Sequence, residues 1–281
     1  MHAHIDTRTD WGTYIPRGAD RLLFMIKAAG LAHGPVKNLI SGVWLARHPQ
    51  QPVDIRYQQM KYRLYPQDNV TDHKLLFGSR QRDREEFEAL QQYVADNGVF
   101  VDIGANIGHY TLMAAAFGAA RIIAIEPNPD ALQRLTFNTA ANDLQQRVNI
   151  VQTALGETDS EATLYVPVDG DMGGGKVSDS EIDGRRVVVR VRPLTSVLHE
   201  YGIDHVDALK IDVEGMEDRV LFPFFETAPV TLWPRLVIIE HTSAPEWDRD
   251  IIAWLLEHGY QTSVKTRSNM MLELDAGHAA P

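Results

Sequence analysis

The chain contains no cysteine in 281 residues. Disulfides, zinc–thiolate sites, iron–sulfur clusters and thiol catalysis are therefore excluded, and a reducing cytoplasm is a comfortable setting. Cationic charge is scarce. Lys and Arg number 27 against 38 Asp and Glu, for a formal net charge of −11. Non-specific nucleic-acid binding needs a basic footprint, so no nucleic-acid partner is expected. Long apolar runs are missing as well. The most apolar stretch of the first half, Leu22–Ala46, is interrupted by Lys27, Gly30, Gly34, Pro35 and Lys37. No transmembrane segment is predicted from it. No apolar signal core follows Met1–Asp10, which points away from secretion and toward a cytoplasmic protein. Asn69-Val70-Thr71 is accordingly read as a chance glycosylation pattern. Repeats and low-complexity linkers are absent too.

What is there suits an ordinary globular protein, with 44% hydrophobic and 23% charged residues. The length fits one large domain with a smaller appendage. Residues 1–80 are expected to form an N-terminal accessory region, helices first and short strands after. Residues 17–46 read as two helices broken near Gly34-Pro35. Arg17, Arg21, Lys27, Lys37 and Arg47 flank or punctuate them. The preferred reading is a helical cap packed on the main domain, and the sharper one an amphipathic, membrane-surface or substrate-facing pair. Val53–Leu64 and Lys74–Phe77 look strand-like, with a turn around Pro66–Asn69 between them.

From residue 81 to 281 the rhythm changes. Arg82–Ala95 reads as a helix. Apolar strands at Val99–Ile103, Arg121–Glu126, Val148–Thr153, Ala208–Val213 and Leu236–Glu240 alternate with helices at Gly108–Phe117, Asn128–Asn142, Glu217–Phe225 and Asp248–His258. This is the pattern of an α/β fold with a mostly parallel sheet covered on both faces. A hairpin insertion is expected around 160–192, with Ala162–Val168 and Arg186–Val191 joined by the glycine-rich loop Asp169–Gly184. Gln261–Lys265 and Met270–Leu274 would close the sheet as antiparallel strands.

Two loops resemble phosphate-binding turns. Gly170–Val177 nearly spells a P-loop, but Val177 stands where Ser or Thr must hold magnesium, and no helix follows. It reads better as a loop near the substrate. Asp102-Ile103-Gly104-Ala105-Asn106-Ile107-Gly108 lies where a nucleotide site belongs, at the carboxyl end of the first parallel strand. A dinucleotide fingerprint would need glycine at 106 and 109, and Asn106 and His109 occupy those positions. A ligand with adenosine but no pyrophosphate suits the turn better. Glu126, ending the second strand, is placed to accept hydrogen bonds from ribose hydroxyls. S-adenosyl-L-methionine meets both demands, and a carboxylate-rich crevice favours its cationic groups.

Three segments carry a family resemblance: VFVDIGANIGHYTL (Val99–Leu112), IIAIEPNP (Ile122–Pro129) and LKIDVEGME (Leu209–Glu217). Together they resemble the FkbM family of S-adenosylmethionine-dependent methyltransferases, over roughly Phe87 to Glu240. The resemblance implies a seven-stranded Rossmann-like sheet with an antiparallel last strand. It implies methylation of a hydroxyl on a sugar, glycan or polyketide-like metabolite. Asp102, Gly104, Asn106 and Gly108 would hold the methionine portion, with Ala105, Tyr110 and Asp212 also among the cofactor residues. Glu126 would hold the ribose and Asn128 would lie near the adenosine. Thr153-Ala154 lacks the acid that some methyltransferases place near the adenine amine. Substrate selection is expected in the N-terminal 80 residues, where Tyr57, Tyr62, His73, Arg80 and Arg84 are available contacts.

A hydroxyl is a weak nucleophile, so a base should take its proton. His241 is the leading candidate because its unperturbed pKa lies near 6.5. Asp212, Glu240 and Lys210 are expected beside it at neighbouring strand ends. Asp212, Glu240 and His241 could instead bind a divalent metal that acidifies the hydroxyl. Ile211-Asp212-Val213-Glu214 replaces the Asn-Pro-Pro-Tyr type motif of methyltransferases acting on planar amines, which favours oxygen as acceptor. Two other functions compete: a nicotinamide-dependent oxidoreductase and a non-catalytic S-adenosylmethionine-binding module. A homo-oligomer stays open.

Overall fold

The computed structural model describes residues 5–28, 34–78, 83–168, 171–178 and 183–275. Arg80, the presumed helix start Arg82, and Asp169, Gly170 and residues 179–182 of the glycine-rich loop lie outside them.

The chain opens with helices α1 (Gly18–Ala28) and α2 (Gly34–Arg47). A hairpin follows, β1 (Val53–Tyr57) and β2 (Met60–Leu64), in register from Val53↔Leu64 to Tyr57↔Met60. Gln58 and Gln59 turn it with positive φ of 44° and 73°, the backbone twist that suits a two-residue hairpin. The strand expected over Lys74–Phe77 is instead part of helix α3 (Val70–Phe77). The cause is a cap. The Asn69 side chain accepts from the Asp72 backbone N–H at 3.1 Å, satisfying an otherwise orphaned donor at the helix start. Asn69 is 2% exposed, so its amide is committed to the fold.

Helix α4 (Arg84–Val94) buries Phe87, Leu90 and Val94 on one side, as their spacing predicts. Then come β3 (Val99–Ile103), α5 (His109–Phe117), β4 (Arg121–Ile125), α6 (Pro129–Ala141) and β5 (Val148–Val151). The insertion contains β6 (Ala154–Leu155), β7 (Ser160–Val166), β8 (Lys176–Val177) and β9 (Arg185–Arg192). It forms a separate sheet in the order β6-β9-β7-β8, with β7 and β9 antiparallel from Ser160↔Val191 to Val166↔Arg185. Helix α7 (Leu194–Glu200) leads back to β10 (Ala208–Ile211), α8 (Glu217–Thr227), β11 (Leu236–Glu240), α9 (Ile251–Glu257), β12 (Tyr260–Lys265) and β13 (Asn269–Leu274).

The main sheet has seven strands in the order β12-β13-β11-β10-β3-β4-β5. β3, β4, β5, β10 and β11 run parallel, and β13 is antiparallel to both β11 and β12. The chain steps outward from β3 in one direction and from β10 in the other, so a topological switch point lies between β3 and β10. Strand alternation divides the core. Phe100, Ile122, Ala124 and Ile238 face one hydrophobic cluster, and Val101, Ile123, Ile125 and Ile239 face another. Trp44, Tyr62, Leu64 and Leu76 join the first cluster, so the N-terminal elements share the core of the sheet.

Two buried arginines fix that attachment. Arg63 donates through Nε and Nη2 to Asp54 at 2.8 and 3.0 Å, and its other donors reach the Asp6, Thr9 and Asp10 carbonyls. Arg134 on α6 reaches Asp68 at 2.9 Å and Asp72 at 3.3 Å, with its guanidinium 4.2 Å from the Tyr65 ring centre. Burial pushes the Asp72 carboxyl upward, against the attraction of Arg134. Arg134→Met takes the guanidinium away from two buried carboxylates. Urea unfolding should show a loss of about 3–5 kcal/mol, the usual cost of removing one partner of a buried ion pair; a loss below ~1 kcal/mol would contradict this account.

Candidate functional site

A cleft of about 370 Å³ opens at the carboxyl ends of β3, β4, β10 and β11. Its floor is the turn after β3. Gly104 and Gly108 have φ of 75° and 89°, and Asn106 between them has φ of 51°. The Gly104 and Ala105 N–H groups both donate to the Ile125 carbonyl at 3.0 Å, tying the turn to the end of β4. A Cβ on Gly104 would overlap the Asp212 carbonyl oxygen, and one on Gly108 would lie 2.6 Å from Leu135 Cδ1. Glycine is thus required at both positions, by close backbone approach at the first and by helix packing at the second.

Asp102 and Lys210 are register partners on β3 and β10, and both line the cleft. Asp102 accepts from Thr111 Oγ1 at 2.5 Å, and burial holds its carboxyl above the ordinary range. Lys210 is buried, with Nζ 3.3 Å from Asp212 and 5.3 Å from the centre of the Tyr110 ring. Asp212 itself is exposed at the cleft.

Glu126 accepts from the Asn106 N–H with one oxygen and the Asn128 N–H with the other, each at 2.8 Å. Burial outweighs those donors and pushes its carboxyl up to about 7. Each oxygen keeps a free acceptor site, since a carboxylate offers about four. Asn128 caps α6 by accepting from the Asp130 N–H at 3.1 Å, as its place before Pro129 predicts.

Opposite lies a ring of acids. Asp212, Glu217 and Glu240 bring one oxygen each within 4.8 Å of one another. Glu217 begins α8 and accepts from the Val213 and Gly215 N–H groups and from Trp247 Nε1. Glu240 accepts from the Thr242 N–H and hydroxyl and from the Ser243 N–H. Glu214 lines the cleft from a left-handed backbone position, φ 56°, and is exposed there like Asp212. Desolvation, with repulsion from Asp212, Asp171, Glu240 and Glu217, pushes it up to about 7.

His241 was expected here, both as base and as metal ligand, and the structure turns it away. It is absent from the cleft lining, and its ring Nε2 lies 3.3 Å from the Thr266 carbonyl. Glu240 takes the cleft-facing position at the end of β11, so the next side chain points to the other side. Glu217 fills the place in the acid group that His241 was expected to fill.

The insertion supplies the roof. Asp171 Oδ1 accepts from the Val70 N–H at 2.9 Å, and the Met172 N–H donates to the Asp68 carbonyl at 2.7 Å. Asn128 Nδ2 donates to the Met172 carbonyl at 3.0 Å, and Lys176 pairs with Glu246. Asn69 Nδ2 donates to Asn106 Oδ1 at 3.0 Å, joining the cap of α3 to the glycine turn. Tyr110 and Asn269 on the cleft wall each carry a buried oxygen with no hydrogen-bond partner among the described residues.

Of the expected cofactor residues, Asp102, Gly104, Ala105, Asn106, Tyr110, Glu126 and Asp212 line the cleft, while Gly108 and Asn128 support it from behind. Sequence reasoning missed Lys74, Asp171 and Asn269 as cleft residues, missed Asn69 as a brace of the glycine turn, and undervalued Glu214. Only Asn69 carried a readable signal, the Asn-x-x-Asp cap. The others arrive on α3 (Lys74), the insertion loop (Asp171) and the start of β13 (Asn269), far apart in sequence.

Known proteins resemble parts of this chain. The methyltransferase sdnD of Sordaria araneosa is 32% identical over 154 residues, covering 44% of this chain and 60% of that protein. The AMB antimetabolite synthetase AmbE of Pseudomonas aeruginosa is 25% identical over 218 residues, covering 63% of this chain and 10% of that protein. The chain thus spans less than two thirds of the length of these relatives. Among solved structures, the ribosomal protein L11 methylase of Lactobacillus delbrueckii subsp. bulgaricus matches with a TM-score of 0.40 and 15% identity, covering 71% of this chain and 81% of that one. The methyltransferase FkbM domain matches residues 102–262, more than half of the chain. On that match the protein belongs to the FkbM family of methyltransferases.

Proposed function

We propose that this methyltransferase uses S-adenosyl-L-methionine to methylate a hydroxyl of a sugar, glycan or secondary metabolite by in-line displacement. The observation that supports this most is the convergence, in one cleft, of the Gly104 turn, the Glu126 carboxylate and the acid ring around Asp212. The residues present fit the cofactor. Gly104 leaves the turn bare of a side chain, Glu126 keeps an acceptor site on each oxygen, and the acid ring suits a cation. S-adenosylmethionine, when bound, supplies an electrophilic methyl group on a sulfonium. Asp102, Asn106 and Asp212 would hold its methionine end, and Glu126 its ribose.

The protein's part is positioning and proton removal. Holding acceptor and donor in line supplies much of the rate. Glu214 is the base this reading selects, because a carboxyl near 7 is matched to proton transfer near neutral pH. Lys210 is a positioning residue that holds Asp212. Val70, Thr71, Lys74 and Leu75 of α3 also line the cleft, which supports acceptor recognition by residues 1–80. A divalent metal fits poorly. Glu217 and Glu240 each already spend three of about four acceptor sites on N–H and O–H donors, and the Lys210 ammonium sits against Asp212. No step is therefore routed through one, and methyl transfer should be undiminished in EDTA; loss of turnover on chelation, restored by magnesium, would reverse this.

In the free protein Glu126 is protonated below about 7, and the charged form is the one that accepts two ribose hydroxyls. Affinity for S-adenosylhomocysteine should therefore fall as pH drops, by about tenfold from pH 8 to pH 6. Calorimetry at both pH values checks this, and Glu126→Gln should flatten the slope; an unchanged slope in that variant would move the effect to Glu214.

Glu214→Gln should lower kcat by about 10²–10⁴, leave cofactor affinity near wild type and erase the rise of activity through pH 7. His241→Ala should retain activity. The opposite pattern in steady-state kinetics would reinstate His241 as base.

A further inference from the structure

Helices α1 and α2 are apolar on two sides. Their inner side supplies the core: Phe24 and Trp44 pack with ring centres 6.3 Å apart, and Phe24 stacks on Phe77 at 6.2 Å. Their outer side is apolar as well. Leu22 and Met25 are 59% and 58% exposed on α1, and Val36, Leu39 and Val43 are exposed on α2, Leu39 by 66%. The spacings, i and i+3 on α1 and i, i+3 and i+7 on α2, draw one stripe along each helix. With Ile15, these are six of the eleven large hydrophobic side chains that stand exposed among the described residues. A single exposed leucine needs no explanation, but such a concentration does.

Charge identifies what covers it. Residues 11–48 carry Arg17, Arg21, Lys27, Lys37 and Arg47 against one acid, Asp20, so this segment is +4 within a chain of −11. Asp20 is already held by Arg47 at 3.1 Å and His48 at 2.9 Å. Arg17 and Arg21 are exposed and have no ion-pair partner among the described residues. An apolar stripe edged by unpaired guanidinium groups suits an anionic lipid surface. The strongly acidic remainder of the chain would be repelled by that surface, which orients the molecule. Among the described residues no helix is long and apolar enough to cross a membrane, so the helices would lie in the interface plane.

We propose that the outer face of α1 and α2 docks this protein onto anionic lipid bilayers. A groove beside α1, lined by Arg17, Arg21, Phe24 and Met25, shares Leu75 of α3 with the cofactor cleft. Docking does not rest on the choice of acceptor or base.

The test is co-sedimentation of the full chain with phosphatidylcholine vesicles containing 30% phosphatidylserine, and with phosphatidylcholine alone. Binding is expected only to the anionic vesicles, with release in 0.5 M NaCl. Removing Arg17 and Arg21 together (both →Ala) should weaken it about 30-fold, at roughly fivefold per basic residue. Leu22→Glu with Leu39→Glu should abolish it. Unchanged thermal unfolding and S-adenosylhomocysteine affinity in both variants would show that the fold is kept. Absence of wild-type binding, equal binding to both vesicle types, or binding that survives Leu22→Glu/Leu39→Glu would overturn the proposal. So would a wild-type dimer in light scattering that those substitutions convert to monomer, because the stripe would then be a contact between copies of this chain.

Discussion

The site depends on how closely β3 and β10 approach at their carboxyl ends. The Gly104 backbone runs against the Asp212 carbonyl with no room for a side chain between them. That contact merges two loops, each carrying its own acids, into one cleft. It also sets Lys210 beside Asp102 in register, so a buried cation stands between carboxylates that would otherwise repel. The switch point of the sheet puts the two strands together, and the missing Cβ lets their ends touch.

Around that contact the protein spends buried polar groups to hold the walls. Arg134 reaches from α6 to Asp68 and Asp72, and so brings α3 against the glycine turn, where Asn69 bonds Asn106. The insertion then closes over the top through Asp171, Met172 and Lys176. Elements separated by a hundred residues thus meet at the cleft through charged or amide hydrogen bonds, which fix direction as well as distance. The hydrophobic clusters on the two faces of the sheet supply the bulk of the cohesion and none of this aim.

Electrostatics divides the molecule. Acids collect at the strand ends, where low dielectric and mutual repulsion raise Glu126 and Glu214 to about 7. Cationic residues gather at the opposite extreme of the sequence, on α1 and α2. Without cysteine, nucleophile activation falls to carboxylate or imidazole. At the end of β11 the cleft offers the Glu240 carboxylate rather than His241, whose ring points elsewhere, while His109 lines the cleft from the start of α5.

The sequence by itself determined the parallel sheet, its order of helices, the insertion and the glycine turn, because periodicity, caps and glycines act over a few residues. Val99–Ile103, Asn128-Pro129 and the Gly104–Gly108 spacing carry their structure locally. It also determined that Asp102, Glu126 and Asp212 stand at strand ends. Only the tertiary structure decided the rest. It made Lys74–Phe77 helical, since the Asn69 cap and the buried Asp72 outweigh a short apolar run that reads equally well as strand. It turned His241 out, since which face a strand-end side chain takes depends on the register of β11 with its neighbours, and it brought Glu217 from the start of α8 beside Asp212 and Glu240. It placed Lys74, Asp171 and Asn269 on one cavity, since chain closure over long sequence separations leaves no periodic trace. And it left the outer stripe of α1 and α2 bare, because the inner stripe alone was enough to fill the core.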